Sequence, residues 1–210
     1  MSTTTERNAN RPGQPRPPHS FLFAVVGLLV AVVLLGTGGF LWLTGSTGGP
    51  TVGGPFTLEN GSGTTVTDKD FRGKYMLVYF GYTYCPDVCP TTLNAVADAI
   101  DKLGPKAKNL QPIFITVDPQ RDTPAVIKQY TAAFSPALLG LTGTPDEIAA
   151  AAKEYRVYYA KHQTGPGPDD YSMDHSSVIY LMGPDGRFIA PIRADESGDE
   201  LAAAISKLMS

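Results

Sequence analysis

The sequence predicts a mixed α/β sandwich with a parallel core and an antiparallel edge, preceded by one membrane-spanning helix. Three observations predict it: two continuous apolar runs of strand length, two S/T-x-x-E capping boxes, and an uncharged apolar stretch of 23 residues near the N-terminus. A parallel strand covered on both faces reads as an unbroken apolar run, and a capping box marks where a helix begins.

Residues 1–20 carry Arg7, Arg11 and Arg16 against Glu6, and they include Pro12, Pro15, Pro17 and Pro18. Such a tail has too little apolar surface to fold and is expected to be disordered. Its prolines also argue against an amphipathic mitochondrial presequence. Residues 21–43 contain no charge, and as a helix they would reach ~34 Å, enough for a ~30 Å hydrocarbon core. The arginines before this run place the tail in the cytoplasm and everything after Leu43 outside, which fits a single-pass protein of a bacterial inner membrane with a periplasmic C-terminal part. A cleaved signal peptide is the competing reading. The run is longer than a usual signal core, however, and no A-x-A site follows it. Residues 44–55 are rich in Gly, Ser, Thr and Pro and read as a flexible linker, leaving 56–210 as the folded domain.

Within that domain, residues 56–58 and 64–66 read as a hairpin around Asn60-Gly61. Residues 75–80 form the first buried strand. A helix from about Pro90 follows, with Leu93, Val96, Ala97, Ile100 and Leu103 on one face and Gly104-Pro105 as its stop. Residues 111–117 are the second buried strand, and Pro124 opens a helix over about 123–134. The capping boxes at Thr144 to Glu147 and Ser197 to Glu200 start helices over about 145–155 and 198–209. A strand is expected at 157–161, and strands at 177–182 and 188–192 flank Gly183-Pro184-Asp185-Gly186. This order is a thioredoxin-like plan with an extra N-terminal hairpin. No internal repeat is present.

Beyond the tail, 14 Lys and Arg face 19 Asp and Glu, a net charge of −5 that excludes a nucleic-acid-gripping surface. The only cysteines, Cys85 and Cys89, lie between the first buried strand and its helix. That loop lines the crevice where α/β sheets bind ligands, and the helix start favours thiolates. A purely structural disulfide would close too short a loop to stabilise much. Three chemistries remain: thiol exchange, peroxide reduction and metal binding. Exchange usually uses C-x-x-C, and here the spacer has three residues. Two cysteines are too few for a structural zinc site or an iron–sulfur cluster, whereas Cu(I) accepts two or three soft donors. A histidine would complete such a site. His19 falls on the cytoplasmic side, His162 reads as a solvated strand-end residue, and His175, in the loop before the strand at 177–182, is the candidate third ligand.

Cys85-Pro86-Asp87-Val88-Cys89-Pro90, Val117-Asp118-Pro119-Gln120-Arg121-Asp122-Thr123 and Asp174-His175-Ser176 together resemble the Sco/SenC family over about 56–208. The resemblance implies copper, as Cu(I) or Cu(II), held by Cys85, Cys89 and His175, and a chaperone role in assembling the binuclear copper centre of cytochrome c oxidase. It implies the oxidase's copper-site subunit and an upstream copper chaperone as partners, and because oxidation to a disulfide in that compartment would abolish loading, a periplasmic thiol reductant is expected as well. Thioredoxins usually place a cis-proline where His175 stands, and no proline occurs between Asp169 and Ser177. Asp174 is a candidate to orient His175 or simply a surface carboxylate, Met173 is read as packing, and Asp118, Arg121 and Asp122 as turn and cap residues. The alternative function is a thiol–disulfide oxidoreductase that keeps the oxidase's copper-ligand cysteines reduced. A peroxiredoxin ranks third, since Pro86 occupies the position where that family expects threonine.

Overall fold

The structure is a computed structural model that describes Phe23, residues 28–33 and residues 52–209. The chain divides into two compact units, residues 1–49 and 50–210. In the first, Phe23 and residues 28–33 are helical and exposed. The rest of the expected tail, membrane span and linker lies outside the described residues, apart from the end of the linker, which belongs to the domain instead: Val52 packs against the core and the Gly53 amide donates to the Glu154 carbonyl at 2.9 Å. No helix among the described residues is long and apolar enough to cross a membrane.

The second unit is built on a seven-stranded sheet. In chain order its strands are β1 (Thr57–Asn60), β2 (Thr65–Thr67), β3 (Tyr75–Gly81), β4 (Leu110–Thr116), β5 (Leu139–Thr142), β8 (Val178–Met182) and β9 (Phe188–Arg193), and across the sheet they run β2-β1-β5-β4-β3-β8-β9. The strands β6 (Tyr159–Gln163) and β7 (Tyr171–His175) form a separate antiparallel hairpin. The helices are α1 (Val88–Leu103), α2 (Pro124–Ala132), α3 (Pro145–Glu154) and α4 (Gly198–Leu208). Strands β3, β4 and β5 are parallel, while β1 and β8 run antiparallel to β5 and β3. The fold is therefore the expected thioredoxin-like sandwich, with antiparallel strands on both flanks rather than at one edge.

Alternation along the central strands explains the two cores. Met76, Val78 and Phe80 of β3, with Ile113 and Ile115 of β4, face Ile148, Ala151 and Ala152 of α3. Leu77, Tyr79 and Phe114 face Leu93, Val96 and Ala99 of α1, Ile127 of α2, and Leu201 and Ile205 of α4. Each such fully buried large apolar side chain contributes about 1.5–3 kcal/mol. Both capping boxes form as read: Thr144 accepts from the Glu147 amide and Ser197 from the Glu200 amide.

Four elements differ from expectation. Strand β5 went unread because Leu139-Gly140-Leu141-Thr142 is short. Gly140 is needed there because a Cβ would lie 2.8 Å from the Ile127 side chain of α2. The N-terminal hairpin turns at Gly63, with φ at 73°, rather than at Gly61, and its N–H donates to the Asn60 carbonyl. The strand expected at 157–161 runs two residues later, as β6. Finally, residues 171–175 are strand rather than loop, which puts His175 at the end of β7.

Candidate metal centre

Strand β3 ends at Gly81, and the chain turns through residues 82–87 into α1. The helix starts at Val88, two residues before the expected Pro90, so Cys89 lies in its first turn. Asp87, at the N-cap, makes no side-chain capping bond. A sulfur substitutes: the Cys89 amide donates to Cys85 Sγ at 3.4 Å. Unpaired first-turn amides favour negative charge, and a thiolate provides it. Cys85 is half-buried and Cys89 fully buried.

Two neighbours fix this loop. A Cβ on Gly81 would lie 2.6 Å from Cys89 Sγ, so the strand end must be glycine for the sulfur to sit there. Asp122, with no exposure, accepts from the Thr83 amide at 3.0 Å, the Thr83 hydroxyl at 2.5 Å and the Thr116 hydroxyl at 2.6 Å. It thereby fastens the cysteine loop to β4. Burial raises its pKa despite these three donors.

His175 arrives through topology. Strand β8 pairs antiparallel with β3, Tyr79 opposite Ile179, so the chain just before β8 lies beside the end of β3 where the cysteine loop starts. The imidazole stands edge-on to Tyr79 and Tyr82, with ring centroids 6.0 Å from each. Its Nδ1 is 3.2 Å from the Ser176 carbonyl, which assigns the proton to Nδ1 and leaves Nε2 as a bare donor. Nε2 lies 3.5 Å from Cys89 Sγ.

The donor atoms of Cys85, Cys89 and His175 all lie within 4.8 Å of one another. An ion making metal–sulfur bonds of ~2.3 Å holds its ligands up to ~4.6 Å apart, so the group can take one metal with small adjustments. Two sulfurs and one imidazole nitrogen suit copper, and with only three donors they leave a structural zinc site one ligand short.

The two thiols titrate as a pair. A hydrogen bond from the Cys89 thiol is the main force lowering Cys85 to about 5, against the opposing effect of burial and with help from the Cys89 and Asp87 amides. That same hydrogen bond, followed by burial, raises Cys89. One proton therefore leaves readily and the second is held. The Tyr79 hydroxyl, raised chiefly by burial, points at Cys89 Sγ from 3.9 Å. A buried, protonated Cys89 is poorly placed to attack peroxide.

Other expectations need correction. Asp174 does not orient His175: its carboxylate lies 2.7 Å from His162 Nε2, and both are exposed, His162 as expected, one residue before the end of β6. Met173 packs in the core, as read. Asp122 does not cap α2, because Thr123 does, through the Val126 amide. Asp118 and Arg121 do more than form a turn: Asp118 Oδ2 is 2.5 Å from Arg121 Nε, and Asp118 Oδ1 accepts from the Tyr171 hydroxyl at 2.8 Å. The sequence reading missed Tyr79, Gly81 and Thr83 altogether. Strand parity was the available signal, since Tyr79 and Gly81 share the α1-facing side of β3. His19 lies outside the described residues.

A sequence model of the SCO1/SenC family matches residues 44–210. The mitochondrial SCO1 homolog of Homo sapiens is 43% identical over 77% of this chain and 54% of its own, so this chain spans about half of that relative's length. Protein SenC of Rhodobacter capsulatus is 43% identical over 86% of this chain and 83% of its own. The structure of Bradyrhizobium japonicum ScoI with copper bound is 47% identical and superimposes with a TM-score of 0.69 over 75% of this chain and 99% of that one. Copper is the metal in that relative, and the Cys-Cys-His group described here can hold a metal ion. With the family's sequence pattern, its fold and a matching donor set all present, this chain belongs to the SCO1/SenC family.

Proposed function

We propose that this chain is a membrane-anchored copper metallochaperone, with Cys85, Cys89 and His175 as its ligands, that delivers copper to the binuclear copper site of cytochrome c oxidase. The observation that carries the reading is the convergence of the three donors within 4.8 Å on this fold. Copper is cargo here. Cys85, already a thiolate at neutral pH, offers the first donor. Cys89 releases its proton as metal displaces it, and Nε2 of His175 supplies the third. Cys85 is the more exposed sulfur, so a partner's ligands would approach from its side and take the ion by stepwise exchange. Residues 21–43 would anchor the chain in a bacterial inner membrane, with residues 1–20 cytoplasmic. Residues 44–51, as a flexible coil, would let the periplasmic domain range about 15 Å from that anchor. An upstream chaperone would load the site, and a periplasmic thiol reductant would keep both sulfurs reduced.

The test is copper loading of the reduced full-length chain in mild detergent. Close to one copper per chain is expected, and His175→Ala should remove imidazole nitrogen from the Cu(II) resonance spectrum. Failure to retain copper, or an unaltered spectrum in the variant, refutes the assignment.

The thiol asymmetry supports a second reading, a thiol–disulfide oxidoreductase. Cys85 thiolate would attack a partner disulfide, releasing one partner thiolate and leaving a mixed disulfide. Cys89, on losing its proton, would displace the second partner sulfur. The partner gains two electrons, and Cys85 and Cys89 end joined, to be re-reduced by the thiol reductant. In an oxidase-deficient strain, full rescue by His175→Ala would favour this reading.

A further inference from the structure

Two ligands sit in the loop and helix start that follow β3, and the third comes from a hairpin outside the main sheet. Strands β6 and β7 pair only with each other, and an isolated two-stranded hairpin is marginally stable at best. Something must hold His175 against the cysteines. Tyr171 and Met173 give the hairpin an apolar footing, but apolar contact is non-directional and sets no register.

Most of the hairpin's directional contacts reach one short segment, residues 118–122, and the Met173 backbone also bonds the Tyr82 hydroxyl. Arg121 Nη1 donates to the carbonyls of Tyr171 at 3.0 Å and Asp169 at 3.3 Å. Its guanidinium carbon sits 3.6 Å from the centre of the Tyr171 ring and 4.5 Å from that of Tyr84, in the cysteine loop. Asp118 holds both Arg121 and the Tyr171 hydroxyl, and Lys161 of β6 donates to Gln120 at 3.2 Å. At the other end of the segment, Asp122 pins Thr83. Arg121 is only 10% exposed, and its Nη2 is buried without a hydrogen-bond partner. A buried charge pair is a poor stabiliser, but it fixes geometry.

We propose that Arg121, braced by Asp118, is the positioning residue for His175, so that residues 118–122 hold both ligand-bearing arms in copper-binding register while supplying no ligand. This rests on the copper-site reading above. Arginine suits the task because its rigid fork reaches two carbonyls and its flat face stacks on tyrosine, neither of which lysine reproduces.

The experiment compares the full-length chain in mild detergent with Arg121→Lys, Tyr171→Phe and, as a stability control, Leu58→Ala in β1, three strands from β3 in the sheet. Arg121→Lys keeps the charge beside Asp118, and Tyr171→Phe keeps the ring and removes one hydrogen bond, so both remain able to fold. Cu(I) stoichiometry should stay near that of the unaltered chain, since both sulfurs are in place. Cu(II) affinity should fall about 10–100-fold in Arg121→Lys and about tenfold in Tyr171→Phe, with weakening of the imidazole nitrogen couplings in the resonance spectrum. Leu58→Ala should lower the melting temperature and leave those couplings intact. Unchanged couplings in both Arg121→Lys and Tyr171→Phe, or equal loss in Leu58→Ala, overturn the proposal. Absence of imidazole coupling in the unaltered chain would overturn the copper-site reading and this proposal with it, so the two failures are told apart.

Discussion

Replacing Gly81 by alanine tests how tightly the cysteine loop is built. The backbone there is not in the left-handed region, so alanine adds no backbone strain. That methyl would lie 2.6 Å from Cys89 Sγ and 2.7 Å from Phe114 Cε2. The sulfur would have to retreat by about 0.8 Å to reach the 3.4 Å of ordinary contact. Cys89 and Phe114 both have no solvent exposure. Overpacking of this kind costs about 1–3 kcal/mol, whereas replacing glycine stiffens the unfolded chain and returns only about 0.4–1 kcal/mol. The clash wins, by about 2 kcal/mol with two buried contacts, or about 4–8 °C in Tm for a domain of this size. Thermal unfolding of the reduced, metal-free chain measures it, and the sulfur-to-Cu(II) charge-transfer band reports the displaced Cys89. In a Cys89→Ala background the penalty should shrink by at least about 0.5 kcal/mol. A Tm shift below about 1 °C with an unaltered band would refute the packing argument.

Asp122→Ala should cost about 3 kcal/mol, because the Thr83 amide and the two threonine hydroxyls lose their buried acceptor, and the urea midpoint should fall with little change in slope. An unchanged midpoint would mean that water satisfies those donors. Cys85 should be alkylated far faster than Cys89 at neutral pH, with a rate that rises through about pH 5 rather than near the ordinary thiol value. Peptide mapping after pulsed iodoacetamide reads both, and first labelling at Cys89 would contradict the assigned asymmetry. The same lowered pKa means that the thiolate stabilises the reduced, metal-free fold fully above the unfolded thiol's pKa near 9, and that this contribution is lost as pH falls through about 5. The copper loading of His175→Ala and the Arg121→Lys comparison complete the set.

The sequence by itself determined the elements whose signals are local. Residues 75–80 read as a covered strand because every position is apolar, and α3 and α4 started where their capping boxes placed them. Cys85 and Cys89 were recognisable because a strand end, a Pro-bounded loop and a helix start lie consecutively in the chain. Tertiary structure alone decided the rest. Strand β5 is four residues containing a glycine, too short to carry a period, and it becomes a strand only between β4 and β1. Residues 171–175 alternate buried and solvated as a strand does, but they resembled a loop because their inward groups, Tyr171 and Met173, gain an apolar floor only when the hairpin folds over the sheet. Asp118, Arg121 and Asp122 read as turn residues because their partners, Tyr171 and Thr83, lie tens of positions away. The same holds for the 3.5 Å between Cys89 and His175, separated by 86 positions: hydrophobic periodicity reports which side of an element is buried, whereas the meeting of two distant side chains depends on how whole elements pair.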